Sequence, residues 1–331
     1  MCTSIFYSSC DGDLFLGRTM DLTRVLNCHV CSVPKGTTWY DSAEHPIKNK
    51  YSFIGAGDIT DKLYFIDGVN QAGLGGAALY SNNADRFQAP ESNGKLQIST
   101  LEFITYVLGN YDSIAALKKG FSDFNLVGVV EQVAQKIHPL HYIFADRAGE
   151  CAVVEYAADG LKLYNNPVGV MTNHPEFPVQ LANLETYSQI HMKNMPFKNI
   201  DRNAVASRRE KMKSESLPLP GDGHSTSRFI KATVLTTFIH GQHPSEEALV
   251  AGMRVLNSMS VIRNGAYPDS PNTYTQYSAL MCLTKQQYTA QSYYNFDLMR
   301  LDLKRYSKAK KPHNRWDLYP PVTIHSVSDS Q

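Results

Sequence analysis

The sequence predicts an α+β protein in which helices cover a core of antiparallel strands. Strand-like segments fill the first 90 residues, helical patterns dominate the middle of the chain, and strand-like segments return near its end. The strands at both ends have the spacing of hairpins, which is typical of antiparallel sheets. Two such sheets, each covered on both faces, would make a four-layer sandwich, but this pattern alone leaves the number of layers open.

The chain begins with a predicted hairpin over residues 2–19, because two strand-like runs flank an Asp-Gly pair. A tight hairpin returns the far end of its second strand to the start of its first. We therefore expect Arg18 and Asp21 to lie beside Cys2.

The remaining elements follow from periodicity and from helix-start signals. Strands are expected at 30–33, 51–54, 63–66, 75–80, 142–146, 151–156, 161–164, 168–172, 273–283, 287–294 and 297–303. Helices are expected at 99–109, 112–119, 178–193, 203–213, 225–238 and 245–256. The capping-box residues Ser99 and Glu102 mark the start of the first helix, and Ser245 is the expected N-cap of the last. Without a repeat or a long linker, residues 1–331 are predicted to form one domain, with a basic solvated tail from about residue 304.

Composition excludes several classes of function. The chain has 32 Lys and Arg against 31 Asp and Glu, so its net charge favours neither nucleic acid nor a membrane surface. It shows no apolar run of membrane-spanning length and no signal-peptide pattern, so we expect a cytoplasmic protein. Six cysteines are too few for a disulfide scaffold in a chain of this length.

Two motifs that could suggest a cofactor or a metal are set aside. The glycines at 73–76 precede a strand instead of following one, so they do not indicate a dinucleotide site. Cys28 and Cys31 have the spacing of metal ligands, but a zinc site needs a second pair and none has suitable spacing. We therefore expect no cofactor and no metal.

The residue most suggestive of catalysis is Cys2, directly behind the initiator methionine. Removal of Met1 would place a thiol and a free α-amino group on one residue. The amine, with a pKa near ~7.7–8.0, could then accept the proton of the thiol without a histidine. The alternative is that Cys2 is a small apolar residue that opens a buried strand.

A set of motifs, each weak alone, occurs in a specific order. The motifs are Met1-Cys2-Thr3, Gly17-Arg18-Thr19-Met20-Asp21, Asp67-Gly68-Val69-Asn70 with Gly73-Leu74, Leu140-His141-Tyr142, Asn166 to Pro175, Leu219-Pro220-Gly221-Asp222 and Ser227-Arg228-Phe229. Together they resemble the choloylglycine hydrolase family, which contains bile salt hydrolases and penicillin V acylases. The resemblance covers residues 2 to about 295.

The resemblance implies the four-layer αββα fold of N-terminal-nucleophile hydrolases. It implies hydrolysis of a linear, non-peptide amide bond in a small N-acyl substrate, through an acyl-enzyme and after loss of Met1. It also implies a homo-oligomer, commonly a tetramer.

By position, the resemblance makes Cys2 the nucleophile, with Arg18 against its sulfur and Asp21 holding its α-amine. A nearby guanidinium lowers the pKa of a thiol, and a carboxylate orients an ammonium group. From these residues alone, an ordinary salt bridge between Arg18 and Asp21 stays possible.

The same carry-over gives roles to residues that are distant in sequence. Asn173 is expected to donate its side-chain amide to the oxyanion, where one donor contributes about 3–4 kcal/mol. The second oxyanion donor would be the backbone N–H of Tyr80, and Arg228 would support the charged cluster. Met20 and Tyr80 are expected to contact substrate. An ordinary turn role for Asn173 also stays possible.

The acyl group is less well defined. Tyr80 stands where penicillin V acylases usually have Tyr and bile salt hydrolases usually have Asn, so the resemblance favours a penicillin-V-like substrate. Conjugated bile salts are the alternative. A non-catalytic binding protein, or a chain that retains Met1, is a further hypothesis. The chain departs from the family pattern at His174 and before Leu219.

Overall fold

Two antiparallel sheets form the centre of the protein, for which a computed structural model describes residues 2–91, 94–131, 135–187, 221–263 and 272–324. The first sheet has six strands in the order β14-β1-β2-β15-β16-β17. These strands are β1 (Thr3–Ser8), β2 (Leu14–Leu22), β14 (Val170–Met171), β15 (Tyr274–Cys282), β16 (Gln287–Ser292) and β17 (Met299–Asp302). The predicted N-terminal hairpin is therefore confirmed, and it lies inside this sheet.

The second sheet has eight strands in the order β13-β12-β11-β8-β7-β6-β3-β18. They are β3 (His29–Val33), β6 (Phe53–Asp58), β7 (Tyr64–Asn70), β8 (Gly75–Tyr80), β11 (Leu140–Ala145), β12 (Cys151–Ala157), β13 (Gly160–Asn165) and β18 (His313–Asp317). Two small pairs join β4 (Thr38–Tyr40) to β5 (Pro46–Lys48), and β9 (Leu96–Ser99) to β10 (Phe124–Val127).

The described helices are α1 (Phe103–Asn110), α2 (Ile114–Lys119), α3 (Phe177–Thr186), α4 (Ser225–Ile239) and α5 (Ser245–Asn257). Helices α4 and α5 pack on the first sheet, and α1 packs on β7 and β8 of the second. The two sheets face each other, since Arg18 on β2 bonds to Asp67 on β7. The αββα arrangement is confirmed.

Helix α5 approaches the first sheet closely because it carries a glycine at the contact. A Cβ atom at Gly252 would lie 1.9 Å from the hydroxyl oxygen of Tyr7, whose hydroxyl donates to the carbonyl of Ala248 at 2.8 Å. A larger residue at this position would push the helix away from β1. This contact fixes the outer helical layer over the strand that follows Cys2.

Two local predictions differ from the structure, and others fall on residues that it does not describe. The first helix begins at Phe103, four residues after Ser99, which ends β9; the Glu102 carboxylate still accepts from the Ser99 N–H at 2.9 Å. Ser245 is the first residue of α5, and Pro244 is its N-cap. The helices predicted at 203–213 and beyond residue 187 fall outside the described residues.

The basic segment from residue 304 was expected to be a solvated tail. Its side chains are largely exposed, but the backbone of His313–Asp317 pairs with β3 at the edge of the second sheet. The segment is therefore not solvated throughout: Arg315 donates to the Ser32 hydroxyl at 2.7 Å and lies over the Tyr306 ring, 4.1 Å from its centroid.

Candidate active site

Cys2 lies immediately before β1 and is only 3% exposed. Its backbone N–H donates to the Asn173 Oδ1 at 2.6 Å, and its carbonyl accepts from the Arg228 Nη1 at 2.5 Å. Its thiol lies 3.8 Å from the backbone oxygen of Asp21. Three of the residues predicted from the sequence therefore contact Cys2 directly.

Asn173 is brought to Cys2 by the strand before it, because β14 pairs with β1. Its Nδ2 donates to the carbonyl of Tyr80 at 2.7 Å, which uses one of the two amide hydrogens. Its backbone is held from both sides: its N–H donates to the Ser225 hydroxyl at 2.9 Å, and its carbonyl accepts from the Gln180 side chain at 3.3 Å. Hydrogen bonds to both its side chain and its backbone therefore hold Asn173 in place beside Cys2.

Arg228 projects from the first turn of α4 and is 2% exposed. Its guanidinium donates to the Cys2 carbonyl, to the Thr3 hydroxyl at 2.6 Å and to the Asn173 Oδ1 at 2.8 Å, while its Nε donates to the Gly223 carbonyl at 2.9 Å. One planar cation therefore ties together the chain start, the Asn173 side chain and the start of α4.

Because side chains alternate along β1 and β2, the site residues lie on two opposite faces of the first sheet. In the β1–β2 register Thr3 is opposite Thr19 and Ser4 is opposite Arg18. Because successive side chains point to opposite faces, Cys2 shares the Arg18 face, which meets the second sheet. Thr3, Thr19 and the nearby Asp21 occupy the face covered by α4 and α5. Cys2 therefore has Arg18 on the face toward the second sheet and Thr3, Thr19 and Asp21 on the face toward the helices.

Arg18 is fully buried and forms its ion pair with Asp67 of the second sheet, Nη1 to Oδ2 at 3.2 Å. Its Nη2 lies 3.6 Å from the sulfur of Met20. Burial alone would lower the pKa of Arg18, but the Tyr277 hydroxyl, the Cys2 thiol and the Asp67 carboxylate outweigh it and raise that pKa. Among the described residues, its salt bridge is with Asp67 and not with Asp21.

Asp21 is 1% exposed and accepts hydrogen bonds from threonines on either side. The Thr275 hydroxyl donates to its Oδ1 at 2.6 Å, and the Thr19 hydroxyl lies 3.4 Å from its Oδ2. Burial raises the pKa of the Asp21 carboxyl, against the opposing effect of neighbouring positive charges that include Arg228. A positive charge placed close to Asp21 therefore favours the ionised form of its carboxyl group.

Several groups in the site were not singled out from the sequence. Asp67 accepts from the Tyr277 and Tyr288 hydroxyls, each at 2.6 Å. Ser225 and Gln180 hold the backbone of Asn173, as described above. Only Asp67 had a sequence signal, since it belongs to one of the ordered motifs; the others are polar residues inside a strand or helix pattern.

A cavity of about 230 Å³ adjoins Arg228. It is lined by Gly221, Asp222, Gly223, Arg228, Lys231 and residues 258–262.

No described helix is long and apolar enough to cross a bilayer.

Cys28 and Cys31 have the spacing of metal ligands but form neither a disulfide nor a metal site with the described residues. Cys28 and Cys31 are buried and not disulfide-bonded, and burial raises the pKa of both thiols. Among the described residues no cluster of His, Cys, Asp and Glu has the geometry of a metal site.

Residues 2–308 match the model of linear amide C–N hydrolases of the choloylglycine hydrolase family. The chain is 28% identical over 309 residues to a bile salt hydrolase/transferase of Clostridium perfringens, which covers 92% of this chain and 93% of the relative.

Solved structures give the same result for the fold. Variant R18L of the conjugated bile acid hydrolase from Clostridium perfringens superposes with a TM-score of 0.83 at 25% identity, covering 99% of this chain and 100% of that one. Penicillin V acylase from Agrobacterium tumefaciens superposes with a TM-score of 0.73 at 21% identity, covering 93% and 88% of the two chains. The chain therefore belongs to the choloylglycine hydrolase family and is a hydrolase acting on linear amide C–N bonds.

Proposed function

We propose that the protein cleaves small N-acyl amides with Cys2 as its nucleophile, after Met1 has been removed. The observation that carries this proposal is the convergence on one residue. The nitrogen, carbonyl and sulfur of Cys2 are each contacted by a residue distant in sequence: Asn173, Arg228 and Asp21 respectively. In an ordinary strand the neighbouring backbone supplies such partners, whereas here the side chains of Asn173 and Arg228 supply them.

The proposed reaction begins with proton transfer from the Cys2 thiol to its own α-amine. The sulfur attacks the amide carbon, and the carbonyl oxygen becomes an oxyanion. The second Nδ2 hydrogen of Asn173 and the backbone N–H of Tyr80 stabilise that oxygen, with about 3–4 kcal/mol from one preorganised donor. The α-ammonium then protonates the leaving amine as the C–N bond breaks, and water hydrolyses the thioester with the α-amine as base.

Two buried charges support this cycle from opposite faces of the strands. Arg18 lies on the Cys2 face and favours the thiolate through its positive charge. Asp21 lies on the helix-covered face, where a carboxylate stabilises the α-ammonium that forms during the attack. Arg228 holds the Cys2 carbonyl, so that the thiol and the amine keep their relative positions.

For the acyl group we propose a phenoxyacetyl-type chain as the first candidate. Tyr80 is only half-buried and its carbonyl accepts from Asn173, so its backbone is held beside the proposed oxyanion donor and its ring is the proposed contact for an aromatic acyl group. Met20, next to Arg18, would form another part of the wall. Conjugated bile salts are the second candidate, because the relative from Clostridium perfringens is a bile salt hydrolase/transferase.

Parallel kinetics on penicillin V and on glycine- and taurine-conjugated bile salts test this choice. Tyr80→Asn should lower kcat/KM for penicillin V by about tenfold and leave bile salt turnover equal or higher, because the aromatic wall is lost. Tyr80→Phe is the matched control and should retain penicillin V turnover. Equal losses on both substrates would refute a role for Tyr80 in selecting the acyl group.

Intact mass measurement tests maturation. The active protein should lack one methionine, since a retained Met1 would block the α-amine. A fully active chain of unprocessed mass would refute the mechanism, and an unprocessed, inactive chain would favour a binding protein on the same fold. We also propose a cytoplasmic homotetramer, to be checked by fractionation and by light scattering after gel filtration.

A further inference from the structure

Asp67 lies at the centre of the interface between the two sheets and is fully buried. Its Oδ2 accepts from Arg18 at 3.2 Å and from the Tyr277 hydroxyl at 2.6 Å, while its Oδ1 accepts from the Tyr288 hydroxyl at 2.6 Å. The mechanism proposed above does not use this carboxylate. Both of its oxygens are nevertheless engaged by donors from three strands of the opposite sheet.

Arg18 needs this partner because a fully buried cation is strongly destabilising unless it is compensated. Asp67 is its salt-bridge partner among the described residues, and the Tyr277 ring lies 5.8 Å from the guanidinium carbon. Asp67 therefore neutralises part of the positive charge that Arg18 presents to the sulfur.

The register of the first sheet brings this pair within range of the nucleophile. Ser4 is opposite Arg18 and Tyr277 is opposite Met20, so extension of the β1–β2 ladder places Cys2 diagonally across from Arg18. Cys2 itself is contacted by Asp21 on β2 and by Arg228 on α4. The titratable and charged groups around the Arg18–Asp67 pair are Tyr277 on β15, Tyr288 on β16, Cys2 and Cys28.

We infer that Asp67 is a positioning residue for Arg18: it holds the guanidinium in place and limits how strongly that charge favours the Cys2 thiolate. This inference deepens the proposed function, and it rests on Cys2 being the nucleophile. The phenols of Tyr277 and Tyr288 fix the carboxylate and disperse its charge. Asp67 itself is too deeply buried to contact substrate, so its effect reaches Cys2 through Arg18.

The test follows alkylation of Cys2 by iodoacetamide across a pH series, read by peptide mass spectrometry. Asp67→Asn keeps an oxygen acceptor for Arg18 but removes the opposing charge. The Cys2 rate near pH 7 should rise by about tenfold, because the Arg18 charge then favours the thiolate without opposition. Exposed Cys10 is the internal reference, and its rate should not change. Asp41→Asn is the matched buried-carboxylate control and should leave Cys2 unaffected.

A double variant separates action through Arg18 from a general structural effect. In an Arg18→Leu background, Asp67→Asn should change the Cys2 rate by less than about twofold, because the residue through which it acts is gone. An equal change in both backgrounds, no change in either, or slower alkylation in the single variant would overturn the inference.

A second variant covers the case in which Asp67→Asn does not fold. Tyr288→Phe removes one donor from Asp67, concentrates its negative charge, and should slow Cys2 alkylation by about twofold. Tyr142→Phe, which removes a buried hydroxyl that donates to the Thr100 carbonyl, should have no effect. An unchanged Tyr288→Phe rate would refute the inference. Alkylation needs no substrate, so a failed turnover assay would count against the proposed function and leave this test standing.

Discussion

Replacement of Asn173 by alanine should abolish most turnover while leaving the fold intact. The side chain makes three contacts that matter: Oδ1 accepts from the Cys2 nitrogen at 2.6 Å and from the Arg228 guanidinium at 2.8 Å, and Nδ2 donates to the Tyr80 carbonyl at 2.7 Å. Alanine removes all three contacts and the proposed oxyanion donor together.

The expected loss of activity follows from the donor. A lost oxyanion donor costs about 3–4 kcal/mol, which at 1.36 kcal/mol per tenfold lowers kcat by about 10²–10³. Because Asn173 also orients the Cys2 nitrogen, the upper end of this range is expected. KM should change little, since the donor acts on charge that develops in the transition state.

The expected loss of stability follows from the same three contacts. The Cys2 nitrogen, the Arg228 guanidinium and the Tyr80 carbonyl each lose a partner, at a cost of about 1–3 kcal/mol per group. At about 2.1 cal/mol/K per residue, 331 residues give an unfolding entropy of about 0.7 kcal/mol/K. A loss of about 3–9 kcal/mol therefore lowers Tm by about 4–13 °C, so kcat is compared at a temperature where circular dichroism shows both variants folded.

The chain supplies a matched control in Asn166, another buried asparagine shortly before β14. Its side chain donates to the Val170 carbonyl at 3.0 Å and accepts from the N–H groups of Val168 and Gly169. Asn166→Ala should lower Tm by a similar amount but keep kcat within about threefold, by steady-state kinetics on folded protein. If Asn173→Ala kept wild-type kcat, or if both variants lost it equally, the oxyanion role would be refuted.

Three further predictions concern single side chains. Cys2→Ser should retain the far-UV circular dichroism and Tm of the wild type and lose turnover; appreciable hydrolysis would exclude Cys2 as nucleophile. Arg18→Ala should slow Cys2 alkylation near neutral pH, and an unchanged rate would remove the argument for thiolate stabilisation. Burial lowers the pKa of His240 to about 4, and its neutral Nδ1 accepts from the Ser8 N–H at 3.2 Å. Since the unfolded chain binds this proton first, stability should fall as pH drops from about 6.5 to about 4, by about 1–2 kcal/mol after solvent screening. His240→Gln should flatten that part of a urea-unfolding series, and an unaltered slope would contradict this assignment.

Local patterns in the sequence were sufficient to predict the hairpins and the long helices. The β1–β2 hairpin follows from its Asp-Gly turn, and its register explains why Arg18 and Asp21 return to Cys2. The predicted start of α1 was less accurate, because Ser99 fits both a helix N-cap and the last residue of a strand. Glu102 accepts from the Ser99 N–H as in a capping box, yet Ser99 ends a strand, because tertiary pairing with β10 outweighs the local helix signal.

The partners of the site residues could not be read from the same patterns. Arg18 was expected to act on Cys2, with an ion pair to Asp21 as the alternative, but its salt bridge crosses to Asp67 on the other sheet. Periodicity predicts which face of a strand a side chain occupies, but not which strand of another sheet it meets. Sheet order is set by long-range packing, which a single sequence does not specify.

The position of β1 in the first sheet explains why the site needs residues from so many parts of the chain. β1 lies between β14 and β2, so a residue just before it has a strand on either side. The nitrogen of Cys2 contacts Asn173, whereas its sulfur lies on the face of the sheet that carries Arg18. A thiolate and an ammonium can therefore be stabilised by separate charges, Arg18 on one side and Asp21 on the other. If Asp21 also lay on the Arg18 face, its negative charge would add to that of Asp67 and offset Arg18 further, so the thiolate would gain less from the arginine.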